Sequence, residues 1–305
     1  MKIYVNDSRE NWICDRMRSE FISNNSSFIT ENILEADVIW LLSHWTWRQT
    51  PVDLLSSKKV VATIHHFDLS KKESSDFFIR DKFIDLYLCP NEKTKNDFPV
   101  EIDREKIKIL PYWYNESLWP AISDRKRLKE KLRIPSEKLI IGSFQRDTEG
   151  SDLKSPKLCK GPDIFCDIVE NLDAKPHVAL AGWRRQYIIS RLERAGISYS
   201  YFEMADINTL VELYNCLDLY LVTSRQEGGP QAIFECASTK TPVLSTNVGL
   251  ANEALAAECI CENQTEFIKK INSKDFNLTP ENHRNIQKYK MQNLFPKYIN
   301  FFKLL

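Results

Sequence analysis

The apolar residues of this chain fall into short, nearly continuous runs separated by polar stretches. Runs of that kind predict strands buried on both faces, as in parallel sheets, rather than strands with one wet face. The first five cover residues 2–5, 37–42, 59–64, 85–89 and 106–110. Five more cover 139–144, 177–181, 198–202, 218–222 and 243–245. Helical or irregular segments lie between them, and such alternation predicts an α/β fold of parallel sheets covered by helices. Residues 111–120, with two prolines and four aromatic residues, break the alternation and read as a crossing between two domains, 1–120 and 121–288. A basic helix over 124–133 opens the second domain.

Bulk properties narrow the function classes. At 305 residues the chain can bury a substantial core and form two such domains. Its 42 basic and 42 acidic side chains cancel, so no overall field recruits a nucleic-acid backbone, and no nucleic-acid partner is expected. Eight cysteines (Cys14, Cys89, Cys159, Cys166, Cys216, Cys236, Cys259 and Cys261) contain no C-x-x-C pair, and several interrupt apolar runs; they read as buried, reduced thiols. The chain opens directly on a strand pattern and holds no apolar run long enough to span a bilayer. The expected location is therefore the cytoplasm.

The chemistry concentrates in residues 223–235, Thr-Ser-Arg-Gln-Glu-Gly-Gly-Pro-Gln-Ala-Ile-Phe-Glu. A buried strand leads into Gly228-Gly229, a turn without Cβ atoms, and Pro230 suits the first position of a helix. The amides and positive dipole end at Pro230, Gln231 and Ala232 favour an anion there. Glu227 and Glu235 flank that opening, one set to reach a sugar and the other a ribose, with a diphosphate between. Two carboxylates at such a spacing also occur by chance on a solvated helix face. The context is what gives them weight: the stretch resembles the retaining glycosyltransferases of family 4. That pattern, a Ser, Glu-Gly, Pro, a second Glu after seven intervening residues, then Pro-Val and a glycine loop, stands here as Ser224, Glu227, Gly228, Pro230, Glu235, Pro242, Val243 and Gly249.

The resemblance implies a GT-B fold. Two Rossmann-like domains would face each other across a cleft, and residues 289–305 would form a helix returning to the first domain. That segment mixes aromatic residues with lysines, so a peripheral membrane-surface helix also fits its composition. The resemblance further implies that Arg146 and Lys160, after the strand 139–144, neutralise the donor diphosphate. The connection 147–159 between them is long and polar, so Lys154 or Lys157 could stand in for Lys160. His65, ahead of His66, would face the donor sugar after the strand 59–64, with Asp68 nearby, and His44 would line the same face beside Trp45 and Trp47. Asp7 and Arg9 belong to a glycine-free turn, 6–12, and are expected on the acceptor side together with His44 and His66.

The activity implied is transfer of a sugar from a nucleoside diphosphate to an acceptor hydroxyl with retained configuration. The acceptor would be a glycan, a lipid-linked glycan or a small molecule. Glu227 would hold the sugar and Glu235 the ribose, with charge stabilisation as the main catalytic effect. No metal and no cofactor are expected, because cations do the neutralising and no Asp-x-Asp signature follows a strand. A GT-B epimerase, a phosphorylase or a non-catalytic nucleotide-sugar-binding subunit could use the same architecture.

Overall fold

The computed structural model of the protein describes residues 1–10, 13–67 and 75–305, so the expectations on Asn11, Trp12 and Asp68 lie outside the described residues. The chain divides into two compact units, Met1–Trp113 with Met291–Leu305, and Tyr114–Lys290. The first division falls inside the aromatic and proline-rich stretch 111–120.

The first unit carries β1 (Ile3–Val5), α1 (Ile13–Asn24), β2 (Val38–Leu41), α2 (Val52–Ser57), β3 (Lys59–Thr63), α3 (Ser75–Asp81), β4 (Leu86–Cys89), α4 (Glu92–Asn96) and β5 (Ile107–Ile109). Its strands pair in parallel in the order β1-β2-β3-β4-β5. Side chains of β2 alternate between the two faces, as strand geometry requires. Ile39 and Leu41 join a core with Trp47, Leu55, Val60 and Phe98. Trp40 belongs to an aromatic cluster with Phe21 of α1, their ring centroids 4.9 Å apart.

The second unit carries α5 (Arg125–Leu132), β6 (Ile140–Ser143), α6 (Pro162–Glu170), β7 (His177–Ala181), α7 (Gln186–Ala195), β8 (Ser198–Phe202) and α8 (Ile207–Cys216). It continues through β9 (Leu219–Val222), α9 (Gln231–Thr239), β10 (Val243–Thr246), α10 (Ala251–Ala254), β11 (Ile260–Cys261), α11 (Gln264–Asn272) and α12 (Thr279–Asn285). Its sheet is parallel with the order β11-β10-β9-β6-β7-β8. The chain therefore builds outward from β6 on one side, then returns to build outward from β9 on the other. In an open parallel sheet, that reversal leaves a crevice beyond the carboxyl ends of the two central strands, here β6 and β9.

All ten expected strands are present, each end within one residue of its expected run, and the α/β reading of two parallel sheets holds. The two-residue β11 was not anticipated, because a run so short carries no pattern of its own. Helix α5 spans nearly the expected range. Asp124 caps it by accepting from the Arg127 amide, and Arg133 ends it in a left-handed conformation.

After α12 the chain returns to the first unit as α13 (Met291–Lys303). Leu294, Phe295, Tyr298, Ile299 and Phe302 form its buried stripe. Phe295 packs on Trp113 with centroids 5.0 Å apart, and Phe302 on Trp40 at 5.1 Å. The unit's own aromatic residues thus occupy the apolar face of this helix. All eight cysteines are buried and free, as expected.

Candidate functional site

The exits of β6 and β9 bring together two residues singled out in the sequence. Lys160 Nζ lies 2.6 Å from Glu227 Oε1, with the side chains 16% and 11% exposed. The surrounding bonds fix this meeting. Gln145, just past β6, donates from its side-chain amide to the Lys160 carbonyl at 2.9 Å. The Ser224 hydroxyl, just past β9, lies 3.1 Å from Glu227 Oε1 and 3.3 Å from Gln145 Oε1. The amides of Arg225 and Gln226 both donate to the Cys159 carbonyl. Gly161 completes the junction at φ +62°, where an added Cβ would stand 1.8 Å from the Thr223 carbonyl oxygen. Only glycine allows that approach, and Pro162 then starts α6.

Among the lysines of the long connection, Lys160 is the one paired to Glu227. Lys154 is exposed at the tip of a hairpin-like turn, in which the Glu149 amide donates to the Ser155 carbonyl and the Lys157 amide to the Asp147 carbonyl. Lys157 is half-buried, and its ammonium is held below the ordinary lysine range by burial and then by the Lys160 charge. Arg146 bonds the Thr148 carbonyl through Nε at 2.8 Å, and its guanidinium lies 5.4 Å from the Trp183 ring centroid. Arg184 approaches the same ring at 5.1 Å. Burial first, and then Arg184, lowers the Arg146 pKa, but a guanidinium stays charged near neutrality. Like charges so gathered favour an anion.

One supporting device escaped the sequence reading. Asp147 and Arg185 are 1% and 0% exposed and form an ion pair at 3.1 Å. Arg185 also donates to the carbonyls of Ser143 and Ala181 and to the Ser143 hydroxyl. It thereby locks the ends of β6 and β7 together. The signal available was one charged residue four positions past the end of each of two apolar strands, β6 and β7.

Pro230 caps α9 rather than occupying its first turn, because its ψ of 116° is still extended. Gly228, Gly229 and Pro230 are buried, and Gln231 and Ala232 are half-buried. Gly249, at φ +52°, packs on this turn so closely that a Cβ would lie 2.5 Å from the Gly228 carbonyl oxygen. Glu235 is 7% exposed and accepts a hydrogen bond from the Tyr214 hydroxyl at 2.7 Å.

The remaining expected residues belong to the first unit. His65 Nε2 lies 2.9 Å from the Leu42 carbonyl, and a carbonyl only accepts, so the proton sits on Nε2. Nδ1 then accepts from the Tyr112 hydroxyl at 2.6 Å. His44 has the opposite tautomer: Nδ1 donates to the Thr63 carbonyl at 2.8 Å. Desolvation, then Arg80 and His65, hold the His44 pKa well below the ordinary imidazole value, so its ring is neutral. His66 is half-buried beside them. Of the two tryptophans, Trp45 is 40% exposed, whereas Trp47 turns into the core and donates to Asp76. In the 6–12 turn, Asn6 is buried and bonds Ser43 and Thr46. Asp7 and Arg9 pair loosely at 3.7 Å, and Arg9 takes the left-handed conformation a glycine would usually supply. Among the described residues no group of three or more His, Cys, Asp or Glu side chains is placed to hold a metal ion.

Residues 154–273 match the family model described as glycosyl transferases group 1. No curated protein sequence matches the chain. Among solved structures, the Anabaena protein HepE, in complex with UDP and glucose, superposes with a TM-score of 0.79 at 14% identity over 100% of both chains. Sucrose-phosphate synthase from Thermosynechococcus elongatus gives 0.68 at 12% identity, over 98% of this chain and 80% of the other. The lipopolysaccharide outer core galactosyltransferase WaaB, in its apo form, gives 0.67 at 12% over 100% of both. The fold is that of the GT-B glycosyltransferases.

Proposed function

We propose that this chain transfers a sugar from a nucleoside diphosphate to an acceptor hydroxyl with retention of configuration. The observation that carries the proposal is the Lys160–Glu227 pair at 2.6 Å, held at the exits of the two central strands beside the start of α9. The family match covers Lys160 and Glu227, and HepE, of the same fold over its whole length, was solved with UDP. Uridine diphosphate is accordingly the first donor nucleotide to test.

In this reading each partner of the pair stands in for part of the donor. The diphosphate takes Lys160 from Glu227, and Glu227, once released, accepts hydrogen bonds from hydroxyls of the sugar. Arg146 and the α9 opening, Gly228 to Ala232, add stabilisation as the bond from the anomeric carbon to the phosphate oxygen breaks. The new bond to the acceptor oxygen forms on the same face, and the acceptor proton passes to the departing diphosphate oxygen. Glu235, steadied by Tyr214, takes the ribose hydroxyls, and His65 packs against the donor sugar. Neutralisation by Arg and Lys makes the reaction metal-independent.

The test is product analysis with UDP-sugars and an acceptor panel. The proposal expects free UDP together with a glycoside of the donor's own anomeric configuration, read from the proton coupling at the anomeric carbon. An inverted product would refute retention, and an epimerised donor without UDP release would refute transfer. Lys160→Ala should lower turnover about a hundredfold, roughly 3 kcal/mol of barrier.

A further inference from the structure

Trp45 is an exposed indole with a fixed orientation. It is 40% exposed, and its Nε1 donates to Glu10 Oε1 at 2.9 Å, which pins the ring by one edge. Its centroid lies 5.3 Å from that of His44, at an interplanar angle of 83°, and 5.8 Å from that of His65. A tryptophan kept for packing alone would be expected to turn inward, as Trp47 does two residues later.

The neighbouring imidazole complements it. The Nδ1 proton of His44 is committed to the Thr63 carbonyl, which leaves Nε2 with a lone pair. Among the described residues nothing bonds that nitrogen, and it is not one of the fully buried unpaired atoms. Both nitrogens of His65, by contrast, are engaged by Tyr112 and Leu42. His44 therefore offers a hydrogen-bond acceptor beside an aromatic face, and Glu10, bonded to Trp45, disfavours an anion there.

A neutral body with one apolar face and outward hydroxyls satisfies all of these groups at once, which describes a pyranose. We infer that Trp45 and His44 form a saccharide-binding subsite in the first unit, the sugar ring stacking on the indole and one hydroxyl donating to His44 Nε2. Its role as the subsite for a glycan acceptor rests on the proposed function; saccharide binding itself does not. Stacking supplies affinity and the imidazole fixes which hydroxyl is presented.

The experiment measures binding to the full chain by saturation-transfer NMR, with methyl glycosides of glucose, galactose, mannose and N-acetylglucosamine as probes. UDP binding is measured on the same preparation. At least one glycoside should bind the wild type, and Trp45→Ala should weaken it about tenfold or more. Trp45→Phe keeps a ring without the Glu10 anchor and should fall between the two. His44→Asn can keep the bond to Thr63 while removing the Nε2 lone pair, and should also weaken binding. In a transfer assay these changes should raise the acceptor KM more than they lower kcat. The subsite is refuted if the wild type binds UDP but none of the glycosides, or if Trp45→Ala and His44→Asn both bind as the wild type does. Glycoside binding without UDP binding or sugar transfer would overturn the proposed function and leave the subsite standing.

Discussion

Arg185 and Asp147 form a salt bridge sealed from solvent, with Nε 3.1 Å from Oδ2 and both side chains essentially inaccessible. Removing one partner of such a pair strands the other charge. Asp147→Ala should therefore destabilise the protein by about 3–5 kcal/mol, read from urea unfolding. Replacement of both residues by apolar side chains of similar volume should cost much less.

Gly161 allows the close approach of the two loops that carry Lys160 and Glu227. Gly161→Ala would force a Cβ to 1.8 Å from the Thr223 oxygen and strain a left-handed φ, so it should cost more than about 1 kcal/mol. Sugar transfer should fall at temperatures where the variant is still folded, because the loops must separate. Parallel urea melts and transfer assays would check both outcomes.

His44 should make the fold sensitive to acid. Its folded pKa lies well below the ordinary value, depressed by desolvation first, then by Arg80, His65 and His66. The stability this group contributes is present above the unfolded imidazole pKa of about 6.5 and is lost as pH falls below it, because the unfolded chain takes up a proton that the folded chain does not. His177, whose pKa is also lowered by burial, adds to the same slope. His44→Asn should flatten the decline in stability between about pH 6.5 and 5, measured by urea midpoints across that range. An unchanged slope would mean that His44 takes its proton in the fold.

The strands were legible because buried parallel strands leave continuous apolar runs, and the second domain's motif was legible because strand, Gly-Gly-Pro turn and helix follow one another locally. Lys160 and Glu227 could each be singled out, but not their mutual contact, since that depends on Gly161 and Cys159 joining two exits distant in sequence. The buried pairing of Asp147 with Arg185 was not legible, because the two residues follow different strands and only the adjacency of β6 and β7 in the sheet brings them together. Trp45 and Trp47 are identical letters two positions apart. Their opposite fates are set by Glu10 and Asp76, which bond the two indoles from different segments.

The central claim is that Lys160 holds Glu227 in place of a donor diphosphate, and UDP affinity tests it most directly. Titration calorimetry of the wild type, Lys160→Ala and Glu227→Gln gives opposite expected shifts. Loss of the lysine should weaken UDP binding by about tenfold or more, whereas Glu227→Gln frees the ammonium and should tighten UDP binding even as sugar transfer falls. Absence of UDP binding in the wild type, or weaker binding in Glu227→Gln, would contradict the account.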